Sequence, residues 1–242
     1  MTRPASSLNP RTSTRDGPAE PSAAANAAPA VREVHPLGGR GDPRADHSLG
    51  GALIRVFAGR HPDEVVALGL IEPTHPDQLE RLPAEARAAH ERVTRALRLL
   101  PWLARIGLLR LINPLGRLYT GLPDDQARAA RMFSSSPGHL RATAAEMNAW
   151  DTTMTAARSD RALEERPVLV VSAEQPLVGM SADVHAVNLQ LHAEIAAASS
   201  RGRHVTIAGA DHMSVITVPD NASRVAALLE ETIAAASSSS VR

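Results

Sequence analysis

The chain changes character at His47-Ser48-Leu49-Gly50-Gly51-Ala52, where a serine and two glycines precede a predicted helix. A tight turn into a helix pushes the serine hydroxyl clear of its neighbours, and the helix N-terminus offers backbone N–H groups to a developing oxyanion. The two glycines allow close backbone approach because they carry no Cβ. Ser48 is therefore a candidate nucleophile. The competing interpretation is a simple N-cap, a very common role for serine.

Downstream of Ser48 the sequence alternates between helix and strand patterns. Residues 49–60 follow a helical pattern, and three apolar runs at 65–71, 167–171 and 203–207 have the length and β-branched content of buried strands. Helical periodicity returns after the second and the third run. This order predicts an α/β fold built on a parallel sheet with flanking helices.

Two segments depart from this alternation. Residues 77–160 are helical and rich in leucine and arginine, which predicts a helical cap inserted over the C-terminal edge of the sheet. Residues 1–47 contain seven prolines and no strand or helix period, so we expect a disordered N-terminal tail. The predicted organisation is therefore a tail (1–47) followed by one α/β domain (48–242) that contains the cap.

The segment around Ser48 resembles the nucleophile elbow of the α/β-hydrolase fold family. Residues 60–65 and 70–73 resemble the helix exit and next strand of that family, and Gly209-Ala210-Asp211-His212 resembles the loop that carries its catalytic histidine. The resemblance runs from about Ser48 to Ile233. It implies a serine hydrolase that acts on esters, lactones, amides or related bonds through an acyl-enzyme. A dehalogenase is disfavoured, because its nucleophile is an aspartate where Ser48 stands.

The resemblance also implies roles for individual residues. Ser48 is the expected nucleophile, His212 the general base, and the backbone of Leu49 part of the oxyanion hole. The triad acid stays open between two carboxylates. Glu72 ends the first predicted strand, where some members of the family place the acid. Glu174 follows the second predicted strand, close to the more usual place, and we favour Glu72 slightly.

Two features depart from the family pattern. Asp46 stands two residues before the nucleophile, where the family has a small residue, usually glycine, so we expect strain in the turn. Only 47 residues precede Ser48, too few for the early strands and the oxyanion loop. We expect the sheet to lack or to have replaced its first strands and to expose an unpaired edge. A shifted reading frame, a wrong start or a truncation would each explain the change in composition.

Composition narrows the possible functions. All 26 basic residues are arginine and are balanced by 26 acidic residues, which argues against a broad nucleic-acid interface. The chain has five aromatic residues and no cysteine, which excludes base-stacking platforms, disulfides and cysteine nucleophiles. No apolar run reaches the roughly 20 residues of a membrane span.

We therefore expect a cytoplasmic hydrolase with a small apolar substrate, no cofactor or metal, no nucleic-acid partner and no stable membrane insertion. Two alternatives remain open. One is a catalytically inactive, truncated hydrolase. The other is a helical interaction or membrane-surface module built on residues 97–117, where arginines flank leucines.

Overall fold

The computed structural model describes residues 41–97, 99–106, 109, 116–158 and 162–239 of the chain. Within these residues, four strands form one parallel sheet in sequential order. They are β1 (Asp42–His47), β2 (Val65–Ile71), β3 (Val168–Ala173) and β4 (Gly202–Ile207). The predicted α/β class with a parallel sheet is confirmed.

Helices fill every connection between the strands. In chain order they are α1 (Leu49–Arg60), α2 (Gln78–Arg81), α3 (Ala84–Leu97), α4 (Leu100–Arg105), α5 (Asp124–Ser134), α6 (Pro137–Asn148), α7 (Trp150–Ala157), α8 (Ala182–Ala197), α9 (Ser214–Thr217) and α10 (Pro219–Ser239). Short 3-10 turns lie at Pro62–Glu64 and Gly116–Tyr119. Helices α2 to α7 form the insertion between β2 and β3. None of the described helices combines the length and the apolar character that crossing a bilayer demands.

The sheet is buried on both faces because successive side chains of a strand point to opposite sides. One face packs against α1 and α8 through Leu68, Leu70, Val168, Val170 and Ile195. The other face packs against α9 and α10 through Ile71, Leu169, Val171, Val215 and Val225. The result is three layers, with helices covering a central sheet whose C-terminal edge stays accessible.

The predicted boundary of the N-terminal tail at residue 47 is wrong at its C-terminal end. Asp42–His47 forms β1, and its last residues pair with β2 through Asp46 opposite Leu70 and His47 opposite Ile71. In the described part of the chain only β2 pairs with this strand, so it is an edge strand. Its sequence has no apolar alternation. Pro43 suits such an edge, since it has no N–H to donate. Residues 1–40 of the predicted tail lie outside the described residues.

A close backbone contact fixes the start of β4 against the end of α8. A Cβ atom at Gly202 would lie 2.7 Å from the carbonyl carbon of Ala196 and would overlap its oxygen. Both are backbone atoms, so neither can move aside without a shift of α8.

We expect Gly202→Ala to lower the free energy of unfolding by about 2 kcal/mol, the usual cost of forcing extra volume into a packed site. Gly138→Ala in α6 is the matched control, because a Cβ atom there meets nothing within 4 Å. It should leave stability unchanged or raise it by up to about 1 kcal/mol. Chemical denaturation of both variants checks the prediction, and equal stabilities would contradict it.

Candidate active site

The carboxyl ends of the four strands bring the predicted site residues to one edge of the sheet. Ser48 directly follows β1, Glu72 directly follows β2, Glu174 directly follows β3, and His212 lies five residues after β4. Ligands of open α/β sheets bind at this edge. A cavity of about 200 Å³ opens there, and Ser48, Glu72 and His212 all line it. The remaining lining residues are Pro73, Thr74, Gln78, Leu177, Met180, His185, Asn188 and His192.

Ser48 occupies a strained turn between β1 and α1. Its φ of 58° lies in the left-handed region that residues with a Cβ rarely adopt. Two backbone hydrogen bonds hold the turn: the Ser48 N–H donates to the Ile71 carbonyl (2.9 Å), and the Ser48 carbonyl accepts from the Thr74 N–H (3.1 Å). Ser48 stands at the N-cap position of α1, but its side chain makes no capping hydrogen bond to the helix.

The residue after Ser48 begins a helix. Leu49 is the first residue of α1, and the N–H groups in the first turn of a helix have no intrahelical partner. The Leu49 side chain packs with Ala52, Met154 and Ala157, which anchors this first turn against α7. Its N–H group is therefore at a fixed place beside the Ser48 turn, at the positive end of the α1 dipole.

The carboxylate of Asp46 lies against Gly50, in space that a side chain at residue 50 would occupy. A Cβ atom at position 50 would overlap the Oδ1 atom of Asp46 and would lie 2.6 Å from its Oδ2 atom. The Asp46 Oδ1 atom also accepts a hydrogen bond from the His47 N–H at 2.8 Å. The glycine at residue 50 thus supplies the space that the Asp46 side chain occupies, and the turn itself keeps the strained φ at Ser48.

Glu72 and His212 form a hydrogen-bonded pair. The His212 Nδ1 atom lies 2.9 Å from the Glu72 Oε2 atom, and the second carboxylate oxygen accepts from the Ala173 N–H at 2.7 Å. An ionised carboxylate can only accept, so Nδ1 carries a proton and donates to Glu72, which leaves Nε2 as the ring atom that can act as a base. Burial raises the pKa of Glu72, but the bonds from His212 and Ala173 outweigh it, so the pKa lies below its usual value.

The Glu174 side chain does not contact His212. Its side chain is exposed, and Oε2 accepts hydrogen bonds from the Gly209 N–H (2.9 Å) and from the Gln175 amide (3.2 Å). These bonds, with the Gly209 N–H first, lower the pKa of Glu174. The side chain ties the loop after β3 to the loop after β4. Of the two predicted carboxylates, Glu72 is the one that contacts His212.

A second histidine network lies behind the pair. The Ser172 Oγ atom lies 2.7 Å from His192 Nδ1 and 2.7 Å from His204 Nε2, and His192 Nε2 lies 2.9 Å from the Pro73 carbonyl oxygen. Burial lowers the pKa of His192 to about 4, even though the nearby Glu72 carboxylate opposes this shift. His192 is therefore neutral around pH 7.

Because His192 is neutral, the donor and the acceptor of every hydrogen bond in this network are determined. A carbonyl oxygen only accepts, so His192 carries its proton on Nε2 and donates to Pro73. Its Nδ1 atom must then accept from the Ser172 hydroxyl, and Ser172 in turn accepts from the Nε2–H of His204. The chain of donors runs from His204 through Ser172 and His192 to the backbone directly after Glu72.

His47 supports the histidine loop from the other side. Its Nε2 atom lies 2.8 Å from the His212 carbonyl oxygen, and the two rings have centroids 4.4 Å apart. Burial, followed by the charge of His212, lowers the pKa of His47 to about 4. A neutral His47 therefore donates to the backbone of His212 and packs against its ring.

Sequence reasoning missed Ser172, His192 and His204 altogether. The available signals were weak. Ser172 interrupts an otherwise apolar strand, and His192 lies on the buried face of α8 with Leu191 and Ile195. Both are polar side chains at core positions, and such groups need partners.

The described geometry leaves one link of the expected triad open. Ser48 and His212 line the same cavity, but among the described residues no hydrogen bond joins the Ser48 hydroxyl to the His212 ring. Catalytic hydrogen bonds are often long without substrate and tighten in the complex. No group of three or more histidine or carboxylate side chains within the described ranges is arranged to hold a metal ion.

Comparison with known proteins gives structural likeness without close sequence likeness. No protein-family model and no curated protein sequence matches the chain. An ancestral haloalkane dehalogenase, AncHLD2, superposes with a TM-score of 0.54 at 18% identity, over 82% of this chain and 71% of that one. The haloalkane dehalogenase DatA from Agrobacterium tumefaciens C58 gives 0.54 at 14% identity, over 78% and 66%. Cfl2 from Burkholderia cenocepacia gives 0.50 at 20% identity, over 79% and 65%.

At identities this low, structural likeness shows the fold and does not show which reaction the chain catalyses. This chain has a parallel sheet covered by helices on both faces, a helical insertion after β2, and a strained turn between β1 and α1. Together with these likenesses, they identify the chain as a protein of the α/β-hydrolase fold.

Proposed function

We propose that the chain is a serine hydrolase that cleaves an ester, amide or related bond of a small apolar substrate through an acyl-serine intermediate. The observation that carries the proposal is the Glu72–His212 pair, which shares one cavity with a serine on a strained turn. Nucleophile, orienting acid and base then follow the chain order Ser48, Glu72 and His212.

Each step of the proposed reaction uses water or a group of the described site. His212 Nε2 takes the proton of Ser48 Oγ as that oxygen bonds to the substrate carbonyl carbon, and it gives the proton to the leaving group as the scissile bond breaks. Water then attacks the acyl ester with His212 as base, which releases the acid and restores Ser48. Glu72 holds the ring and stabilises the imidazolium, and the N–H of Leu49 stabilises the oxyanion.

The surroundings of the cavity favour a small substrate. A cavity of about 200 Å³ accommodates only a small group, and Leu177, Met180 and Pro73 supply apolar contacts. The helical insertion α2–α7 would act as the cap, since α2 contributes Gln78 to the lining.

The nucleophile position separates this proposal from dehalogenation. The dehalogenases that resemble the chain suggest displacement of a halide, which uses an aspartate nucleophile. Position 48 holds a serine, whose hydroxyl can be activated by the neighbouring base for attack on a carbonyl. The proposal is therefore acyl transfer.

A fluorophosphonate probe tests the nucleophile. We expect it to label the folded protein at Ser48, and Ser48→Ala to reduce labelling to background, because Ser48 is the only serine or threonine of the described residues with a positive φ. Ser135→Ala, in the loop before α6, is the matched control and should label like the parent. Labelling that survives Ser48→Ala would contradict the assignment, and unlabelled folded parent would favour a catalytically inactive protein of this fold.

A matched pair of variants tests the acid. Glu72→Gln should slow labelling by roughly a thousandfold or more, because an amide no longer stabilises the imidazolium and allows the wrong tautomer. Glu174→Gln makes the same chemical change in an exposed side chain that does not contact His212, so its labelling rate should stay close to that of the parent. Circular dichroism confirms folding of both. The opposite ranking would assign the acid to Glu174.

The neutral state of His192 makes a prediction about pH. Its pKa in the folded chain is about 4, against 6.5 for an ordinary histidine. Below pH 6.5 the unfolded chain binds a proton that folded His192 does not, so stability falls as the pH is lowered from 6.5 towards 4. The total loss from this residue is roughly 3 kcal/mol.

Denaturation at a series of pH values measures this loss. In His192→Gln the amide can replace both ring hydrogen bonds but does not titrate, so the fall in stability over this range should become smaller by about that amount. His61→Gln makes the same substitution at an exposed histidine outside this network and serves as the control. Equal slopes for His192→Gln and the parent would show that His192 is not buried in its neutral form.

A further inference from the structure

Helix α4 has two apolar faces, and packing covers only one of them. Leu100, Leu103 and Ala104 face inward and pack with Leu109 and Leu140. A second set of side chains is open to solvent over more than half of its surface: Leu99 is 66% exposed, Trp102 64% and Ile106 59%. Their spacing of three and four residues puts them on one side of the helical turn. The apolar pattern of α4 is therefore larger than its core contacts require.

Arginines flank this exposed segment in the sequence. From residue 92 to residue 123 the sequence has six arginines and no aspartate or glutamate. Three of the six have described, exposed side chains: Arg92 and Arg95 in the last turns of α3, and Arg105 in α4. The nearest acidic residue on the same helix is Glu91, directly before the run. Leu99, Trp102, Ile106 and these three arginines are called the arginine–tryptophan face below.

We propose that the arginine–tryptophan face docks on an anionic lipid surface. Tryptophan is favoured at the boundary between lipid and water, and aliphatic side chains beside it enter the acyl region. Arginine stems lie along apolar surface while their guanidinium groups bind lipid phosphates. The absence of acidic residues in the run suits a uniformly negative partner. Docking of this kind lies in the membrane plane, which is consistent with a helix far too short to span.

This inference goes beyond the proposed hydrolase activity and does not rest on it. It uses only the exposed side of α3 and α4, which none of the proposed catalytic residues shares. Vesicle binding and hydrolysis would use different surfaces of the chain, so a Ser48→Ala protein should bind vesicles as the parent does.

Vesicle binding tests the proposal directly. The chain has two tryptophans, Trp102 and Trp150, so Trp150→Phe leaves Trp102 as the only indole reporter. With vesicles of phosphatidylcholine and phosphatidylglycerol in equal parts, we expect cosedimentation and a shift of Trp102 emission to shorter wavelength. Vesicles of phosphatidylcholine alone should bind far less. High salt should weaken binding, because the screening length falls to about 3 Å at 1 M.

Two variants separate the contributions. Replacing Arg92, Arg95 and Arg105 together by glutamine should weaken binding to the anionic vesicles on the order of a hundredfold, since each basic residue near such a surface contributes a factor of about five. Trp102→Ala should weaken it by about tenfold through the lost apolar area.

Controls with the same chemical change lie on other surfaces. Arg60, Arg141 and Arg224 are exposed arginines on α1, α6 and α10, and their joint replacement by glutamine removes the same charge. Val178→Ser removes the most exposed large apolar side chain of the described residues, which is 87% exposed in the loop after β3. Both control proteins should bind vesicles as the parent does.

Three results would overturn the proposal. The first is no binding to the anionic vesicles by the folded parent protein. The second is binding that falls equally in the control and the test variants, which would indicate a general charge effect. The third is a shift of Trp102 emission that depends on protein concentration without vesicles, together with a dimer in sedimentation. That result would assign the face to contact between two copies of the chain.

Discussion

The site depends on one buried carboxylate that is held at both of its oxygens. Glu72 stands where β2 ends, and its backbone has a φ of 48°, a conformation that side-chain-bearing residues avoid. The turn aims the carboxylate along the sheet edge, so that it accepts from Ala173 at the end of β3 and from His212 in the loop after β4. Because a charge in this buried place is stable only with such donors, the ends of three strands are coupled through it.

The histidine network explains how the strained turn is kept. His192 donates to the carbonyl of Pro73, the residue after Glu72, and its Nδ1 lies 3.9 Å from the nearer carboxylate oxygen. Protonation of Nδ1 would bring a second donor to Ser172 Oγ and would leave the Ser172 hydroxyl proton without its acceptor, so the directed chain would break. Burial prevents this by lowering the pKa of His192 to about 4. The neutral ring of His192 thus helps to hold the backbone that positions the negatively charged Glu72 side chain.

Parts of this arrangement are readable from the sequence, and others are not. Apolar runs with clear ends predict β2 and β3, and the glycines after Ser48 predict the turn into α1. The edge strand β1 was missed because Pro43 and Asp46 give it no apolar alternation. The sequence does not determine whether Glu72 or Glu174 is the partner of His212, since both directly follow a strand. Only the three-dimensional path separates them: the turn at Glu72 leads across to His212, and Glu174 binds the backbone of Gly209 instead.

The backbone makes the proposed nucleophile and the proposed acid one rigid unit. Ser48 is bonded through its N–H to Ile71 and through its carbonyl to Thr74, the residues on either side of Glu72 and Pro73. The strained φ angles at Ser48 and Glu72 therefore fix each other, and neither can relax alone. His212 is attached differently, through its ring to Glu72 and through its carbonyl to His47. Since the imidazole belongs to a separate loop, adjustment of that loop or rotation of the Ser48 side chain can close the hydrogen bond while the backbone of the turn stays unchanged.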